Sequence, residues 1–240
     1  MQQNVQGTGG QECSAHDGYA IQIGDASLQF ETKTVQDPVV TGAQVLAVAG
    51  AVPASEFLVF QVLQSGALEV VRPEQTVDLR HPGAEKFVLF RSDRTFRIFV
   101  NEQAFDWGAS HISGATLKQL AGVQAAHTDL WLDKAGGHDR LIADHELVDL
   151  AKPGAERFVT RPIRISIKVN SRDREVDHRV LTYWEVVKLA FAQAVPSDQI
   201  IYSIDYASGP HQNPSGSMVE GQTVIVKEGM KFYVTPTDKS

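Results

Sequence analysis

The amino-acid sequence predicts an α+β fold of three tandem units, each a small mixed sheet with one crossing helix. Two recurrences carry that prediction. The stretch Thr41–Gly50, TGAQVLAVAG, matches Ser113–Gly122, SGATLKQLAG; a divergent third copy, Thr182–Phe191, TYWEVVKLAF, keeps Thr182, Val186, Leu189 and Ala190 in register. Downstream of each lies a second anchor: Pro82-Gly83-Ala84-Glu85-Lys86-Phe87, then Pro153-Gly154-Ala155-Glu156-Arg157-Phe158, then Glu228-Gly229-Met230-Lys231-Phe232. The matching glycines are 71 and 75 residues apart. Anchors that repeat in one order at one period mark an array of structural units.

Each unit opens on an apolar segment closed by a turn residue: Ile21-Gln22-Ile23-Gly24, Ile98-Phe99-Val100-Asn101 and Ile167-Lys168-Val169-Asn170. These read as first strands, and Gly24, Asn101 and Asn170 suit the positive φ of a tight hairpin. The second strand holds Leu28 and Phe30, then Phe105 and Trp107, then the region of Val176. Thr41, Ser113 or Thr182 follows as an N-cap whose hydroxyl accepts from an otherwise unpaired first-turn amide. Val45, Val48 and Ala49, like Leu117, Leu120 and Ala121, fall at i, i+3 and i+4 and give the helix one apolar stripe. Gly50 and Gly122 end it. A third strand comes at Phe57–Val62, Leu130–Leu132 and Ile200–Ile204. A short strand of the Val77–Leu79 type and a last strand of the Phe87–Phe90 type close the unit. The units span residues 19–93, 94–162 and 163–235, with a flexible N-terminal tail at 1–18 and a C-terminal tail at 236–240. The links, Arg91–Arg94 and Thr160–Pro162, are short enough to tether neighbours closely.

Composition narrows the function. The 240 residues carry 22 Lys and Arg against 29 Asp and Glu, a net charge of −7, which argues against nucleic-acid binding driven by phosphate contacts. The acidity sits in the first third, where five basic residues face eleven acidic ones in residues 1–93. No run approaches the roughly 20 apolar residues of a membrane span. The N-terminus lacks the basic region and apolar core of a signal peptide, so the expected location is the cytoplasm. Cys13 is the single cysteine, which excludes an intramolecular disulfide and a cysteine-built zinc site.

The element order, the unit length and the S/T-G-A-x-V/L-x-x-V/L-A-G helix followed by the G-A-E-K/R-F strand resemble the tandem ubiquitin-like β-grasp units of bacterial multi-ubiquitin-domain proteins. The resemblance covers residues 19–235. It implies three β-grasp units acting as a ubiquitin-like modifier. An adenylating enzyme would activate the C-terminus, a conjugating enzyme would carry the modifier on its cysteine, and a deconjugating peptidase would reverse the attachment. Antiphage defence is the setting the resemblance suggests. A modifier of this kind contributes no catalytic residue and needs no cofactor. In this sequence the departure is at the end. Ubiquitin-like tails close on Gly-Gly, which lets them thread a narrow channel, whereas this chain closes on Thr235-Pro236-Thr237-Asp238-Lys239-Ser240. These six residues are the candidate conjugation and processing segment. The pairs Gly9-Gly10 and Gly136-Gly137 are not placed to serve as a terminus.

Phe57, Phe60, Trp131 and Tyr202 on the third strands are the candidate interaction surface. The alternation in Phe57–Phe60 makes both faces apolar, so a neighbouring unit or a partner covers one of them. The third unit also carries a longer turn-rich loop, Ala207–Ser217, than its siblings. His138, Asp139, Asp144, His145 and Glu146 cluster around a glycine turn, but the other units offer nothing matching, and they read as a solvated loop rather than a metal site. Two functions stay open: the modifier just described, and a non-covalent adaptor or self-associating scaffold. No nucleophile–base pair or phosphate-cradling loop recurs to suggest an enzyme.

Overall fold

The structure is a computed structural model that describes residues 18–134, 136–197 and 199–238. Cys13, Gly9-Gly10, Lys239 and Ser240 lie outside the described residues. The first repeat comprises β1 (Tyr19–Gly24), β2 (Phe30–Val35), β3 (Val39–Thr41), α1 (Gly42–Ala49), β4 (Phe57–Val62), β5 (Leu68–Val71), β6 (Thr76–Asp78) and β7 (Lys86–Arg91). The second comprises β8 (Phe96–Val100), β9 (Gln103–Trp107), β10 (His111–Ser113), α2 (Gly114–Leu120), β11 (Thr128–Leu132), β12 (Arg140–Ile142), β13 (Leu147–Asp149) and β14 (Arg157–Pro162). The third comprises β15 (Ile165–Val169), β16 (Arg172–Val176), β17 (Val180–Thr182), α3 (Tyr183–Ala190), β18 (Ile200–Ala207), β19 (Ser215–Met218), β20 (Thr223–Ile225) and β21 (Lys231–Asp238).

Each repeat folds into a five-stranded mixed sheet of one order, β2-β1-β7-β4-β5, β9-β8-β14-β11-β12 and β16-β15-β21-β18-β19, with a separate two-stranded ladder beside it. In every repeat the first and last strands are parallel neighbours at the centre of the sheet, as in the pairing of Ile23 with Phe87, Val100 with Phe158 and Val169 with Phe232. The helix covers one face. Phe87, Phe158 and Phe232 are at most 1% exposed beneath it, and full burial of such a side chain contributes about 1.5–3 kcal/mol.

Two of the seven strands per repeat are not apparent from the sequence: the short strand before the helix and the edge strand after the third. Three or four residues are too few to show a period, and β19, Ser215-Gly216-Ser217-Met218, has no strand-forming composition at all. The turn of the first repeat also differs from expectation. Asn101 and Glu102, then Asn170 and Ser171, take positive φ in two-residue hairpin turns, but in the first repeat the positive φ falls on Leu28, at 55°. Leu28 is therefore a buried turn residue, outside β2. Gly24 ends β1, where a Cβ would sit 2.8 Å from the Phe30 ring.

The buried stripe of the helix is displaced one turn toward its start. Gly42, Val45 and Leu46 are buried, as are Gly114, Leu117 and Lys118, then Tyr183, Val186 and Val187; Val48 and Leu120 are only partly covered. Gly42 and Gly114 account for the conserved pattern within the chain. A Cβ at Gly42 would lie 2.4 Å from the Arg72 carbonyl oxygen and one at Gly114 2.3 Å from that of Ala143, so glycine lets the first helical turn lie against backbone. The third repeat puts Tyr183 there.

By their contacts the described residues form two compact bodies. One is the chain up to Phe96 with Asp106–Ala109, and the other is Arg97–Phe105 with the chain from Ser110, holding the second and third repeats together. In the first body Phe60, Phe90 and Trp107 stack edge to face, at centroid distances of 5.4 and 4.7 Å.

Candidate functional site

The last strand of each repeat is built alike until its end. A hairpin-turn asparagine holds it in two repeats. The Asn101 side chain accepts from the Thr160 amide (2.8 Å) and donates to the Thr160 hydroxyl (2.7 Å). Asn170 accepts from the Val234 amide (2.8 Å) and donates to the Val234 carbonyl (2.9 Å). The side-chain amide thus continues the first strand's ladder by one step after the strand has turned away. Gly24 at the start of the first repeat's turn has no such amide.

In the second repeat Val159–Pro162 pair β11 alone, and in the third repeat the same one-sided pairing runs two residues further. Thr235, Pro236, Thr237 and Asp238 pair with Ser203, Tyr202, Ile201 and Ile200 of β18, while β15 pairs β21 only at Lys231 and Phe232. These four residues are exposed and form an overhanging two-stranded ribbon. The strand therefore runs through 236–238, where the sequence suggested a tail. Lys239 and Ser240 are not described. The described part of the candidate segment, Thr235–Asp238, is thus strand with one bonded edge, open to a second strand or to withdrawal from the sheet.

The four aromatic candidates do not form one surface. Phe57, opposite Arg91, and Tyr202, opposite Pro236, occupy one register position, while Phe60, opposite Val88, and Trp131, opposite Val159, occupy another. Phe57 packs on the first repeat's core and Tyr202 on the third's. Phe60 has no exposed surface, so it offers nothing to a partner. Trp131 is partly exposed beneath the Arg161 guanidinium, 5.2 Å from its ring. At the Phe60 position the third repeat carries Asp205, whose carboxylate accepts from the Ser217 hydroxyl (2.7 Å).

Around Tyr202 the third repeat opens a cleft of about 530 Å³ lined by Tyr183, Trp184, Ser217 and Glu220, among others. The Trp184 indole N–H donates to Glu220 (2.7 Å), and the Tyr183 hydroxyl donates to the Tyr202 carbonyl (2.6 Å). Burial pushes the Tyr183 phenol up from its ordinary range. The cleft flanks the overhanging ribbon, because Tyr202 is the partner of Pro236. The acidic loop of the second repeat is tied to arginines, with Asp139 accepting from Arg161 (2.5 Å) and Glu146 from Arg140.

A sequence model of the family described as multiubiquitin matches residues 27–92, 96–163 and 165–238, one match per repeat. The chain belongs to the multiubiquitin family. Its three sheet-and-helix units are the tandem ubiquitin-like domains that the multiubiquitin pattern describes, and their order of elements is that of the β-grasp. No curated protein matches the chain. The multiubiquitin match ends at 238, the last residue of the overhanging ribbon. Neither the asparagine clamp nor the ribbon is marked by a local motif. Asn at two of the three turn positions, with Gly at the third, was the available signal for the clamp.

Proposed function

We propose that this multiubiquitin chain is a ubiquitin-like modifier precursor with no catalytic group of its own. Its C-terminal segment, Thr235 to Ser240, is presented to an adenylating enzyme, passed to a conjugating-enzyme cysteine and attached to targets, and a peptidase reverses the attachment. The pathway is bacterial and cytoplasmic, and serves antiphage defence. The observation that supports this reading most is the membership of all three repeats in one ubiquitin-like family, together with a terminal ribbon bonded on one edge only. Four residues of that ribbon have to leave β18 before the segment can thread an enzyme channel, and they carry side chains where ubiquitin-like tails carry glycine.

The pairing of Thr235–Asp238 with β18 favours a second reading, a non-covalent adaptor or self-associating scaffold whose terminal strand is structural. Intact mass after co-expression with the neighbouring genes separates the two. A chain shortened after Thr235, or covalent adducts through the C-terminus, supports the modifier. An unmodified mass beside a demonstrably active adenylating enzyme leaves the adaptor.

A further inference from the structure

At the junction of the second and third repeats two imidazoles and a carboxylate converge. His127 ends the short 3₁₀ turn Ala125–His127 that leads into β11, and Asp177 and His178 follow β16. One ligand atom from each lies within 4.8 Å of the others. The His127 Nδ1 is 3.1 Å from Asp177 Oδ2, yet it is buried and makes no hydrogen bond, because the carboxylate lies off the line its geometry requires. The His178 Nδ1 is 2.8 Å from Asp177 Oδ1, and its Nε2 is 3.2 Å from Glu185 Oε1. Glu185 is itself fixed, since its other oxygen accepts from the Thr182 amide and hydroxyl at 2.7 Å each.

We propose that His127, Asp177 and His178 form a site for a divalent transition-metal ion, zinc being the best match, that joins the second repeat to the third. Two neutral imidazoles and one carboxylate are a recognised zinc donor set, with water completing a tetrahedron. Ligand atoms around such an ion stand about 3.4 Å apart when each bond is about 2.1 Å. The two imidazole–carboxylate spacings of 3.1 and 2.8 Å would therefore open by a few tenths of an ångström, and the widest spacing, within 4.8 Å, would close by up to about 1.4 Å. The second nitrogen of His178 faces a carboxylate, which is how metal-bound histidines are usually oriented and made more basic. Charge favours a cation as well. Asp177 and Glu185 have no lysine or arginine partner among the described residues, and nearby Arg179 is occupied by Asp129 at 2.9 Å. The corresponding positions in the preceding repeats are Glu56, which is paired with Arg91, and Gly108-Ala109, which have no donor side chain. The site therefore belongs to one junction.

Zinc binding to the full chain, measured by chelator competition at neutral pH, tests this. One zinc per chain is expected, with His127→Gln and His178→Gln each weakening it at least about tenfold, and Glu185→Gln weakening it about tenfold through orientation of His178. Glu185→Gln preserves an N3 side chain able to cap, so its melting temperature without metal should match the parent's. His138→Gln with His145→Gln should leave affinity unchanged. Because His127→Gln could disturb the junction, the unmodified chain supplies an independent readout: zinc should shift the imidazole NMR signals of His127 and His178 and leave the other histidines in place. Zinc bound equally by parent and variants, or shifts confined to other histidines, would overturn the site.

Discussion

At the residue scale, single side chains settle contacts that the backbone ladder leaves unfinished. Asn101 and Asn170 each shape a hairpin and hold the last strand of their repeat. Asn170→Gly keeps the positive φ and loses both side-chain bonds, so chemical denaturation should show a loss of about 1–2 kcal/mol. Tyr183 makes a pH-dependent contribution. Its folded-state phenol is raised by burial, so the fold prefers the protonated form; the stability it adds is full below the free phenol's value of about 10 and declines as pH rises past it. Tyr183→Phe should cost about 1 kcal/mol at pH 8, and its urea midpoint should fall less than the parent's on moving to alkaline pH. The N-caps Thr41, Ser113 and Thr182 were legible in the sequence because a cap acts on amides three residues away. The asparagine clamps span 59 and 64 residues, and no local pattern records a partner so distant.

At the element scale, β21 is one strand with two regimes. Lys231 and Phe232 lie between two neighbours and Val234 is clamped by Asn170, while Thr235–Asp238 pair on one side only. Hydrogen exchange should therefore divide the strand, with amides after Val234 exchanging faster than those of Phe232 and Val234. Equal protection to the end would mean that the ribbon is as fixed as the sheet interior and ill suited to withdrawal. Helix positions and most strands were legible because their signals are periodic and recur three times. The edge strand β19 was not, since Ser215-Gly216-Ser217 is held by its neighbour β18 rather than by its own preference. The Phe57–Phe60 alternation gave the two faces correctly, but which face is covered depends on Phe90 and Trp107, far away in sequence.

At the scale of the whole molecule, three copies of one fold have diverged where they meet and where the chain ends. The third repeat alone has Asp205 at the position of Phe60 and Trp131 and a tyrosine at the helix start, and its ribbon runs two residues further than that of the second repeat. If zinc bridges the second and third repeats, metal at 100 times its dissociation constant should add about 2.7 kcal/mol to the stability of that body, with hydrogen exchange of the first repeat unchanged. The parallel contact of first and last strands has a further consequence. Each repeat is entered and left through neighbouring central strands that run the same way, so tension applied to its two ends slides one strand along the other. Under such shear the hydrogen bonds between them share the load and have to rupture together instead of opening one at a time. A molecular motor hauling on a chain of these repeats would then stall at each one, and each repeat should give its own rupture peak in a pulling experiment.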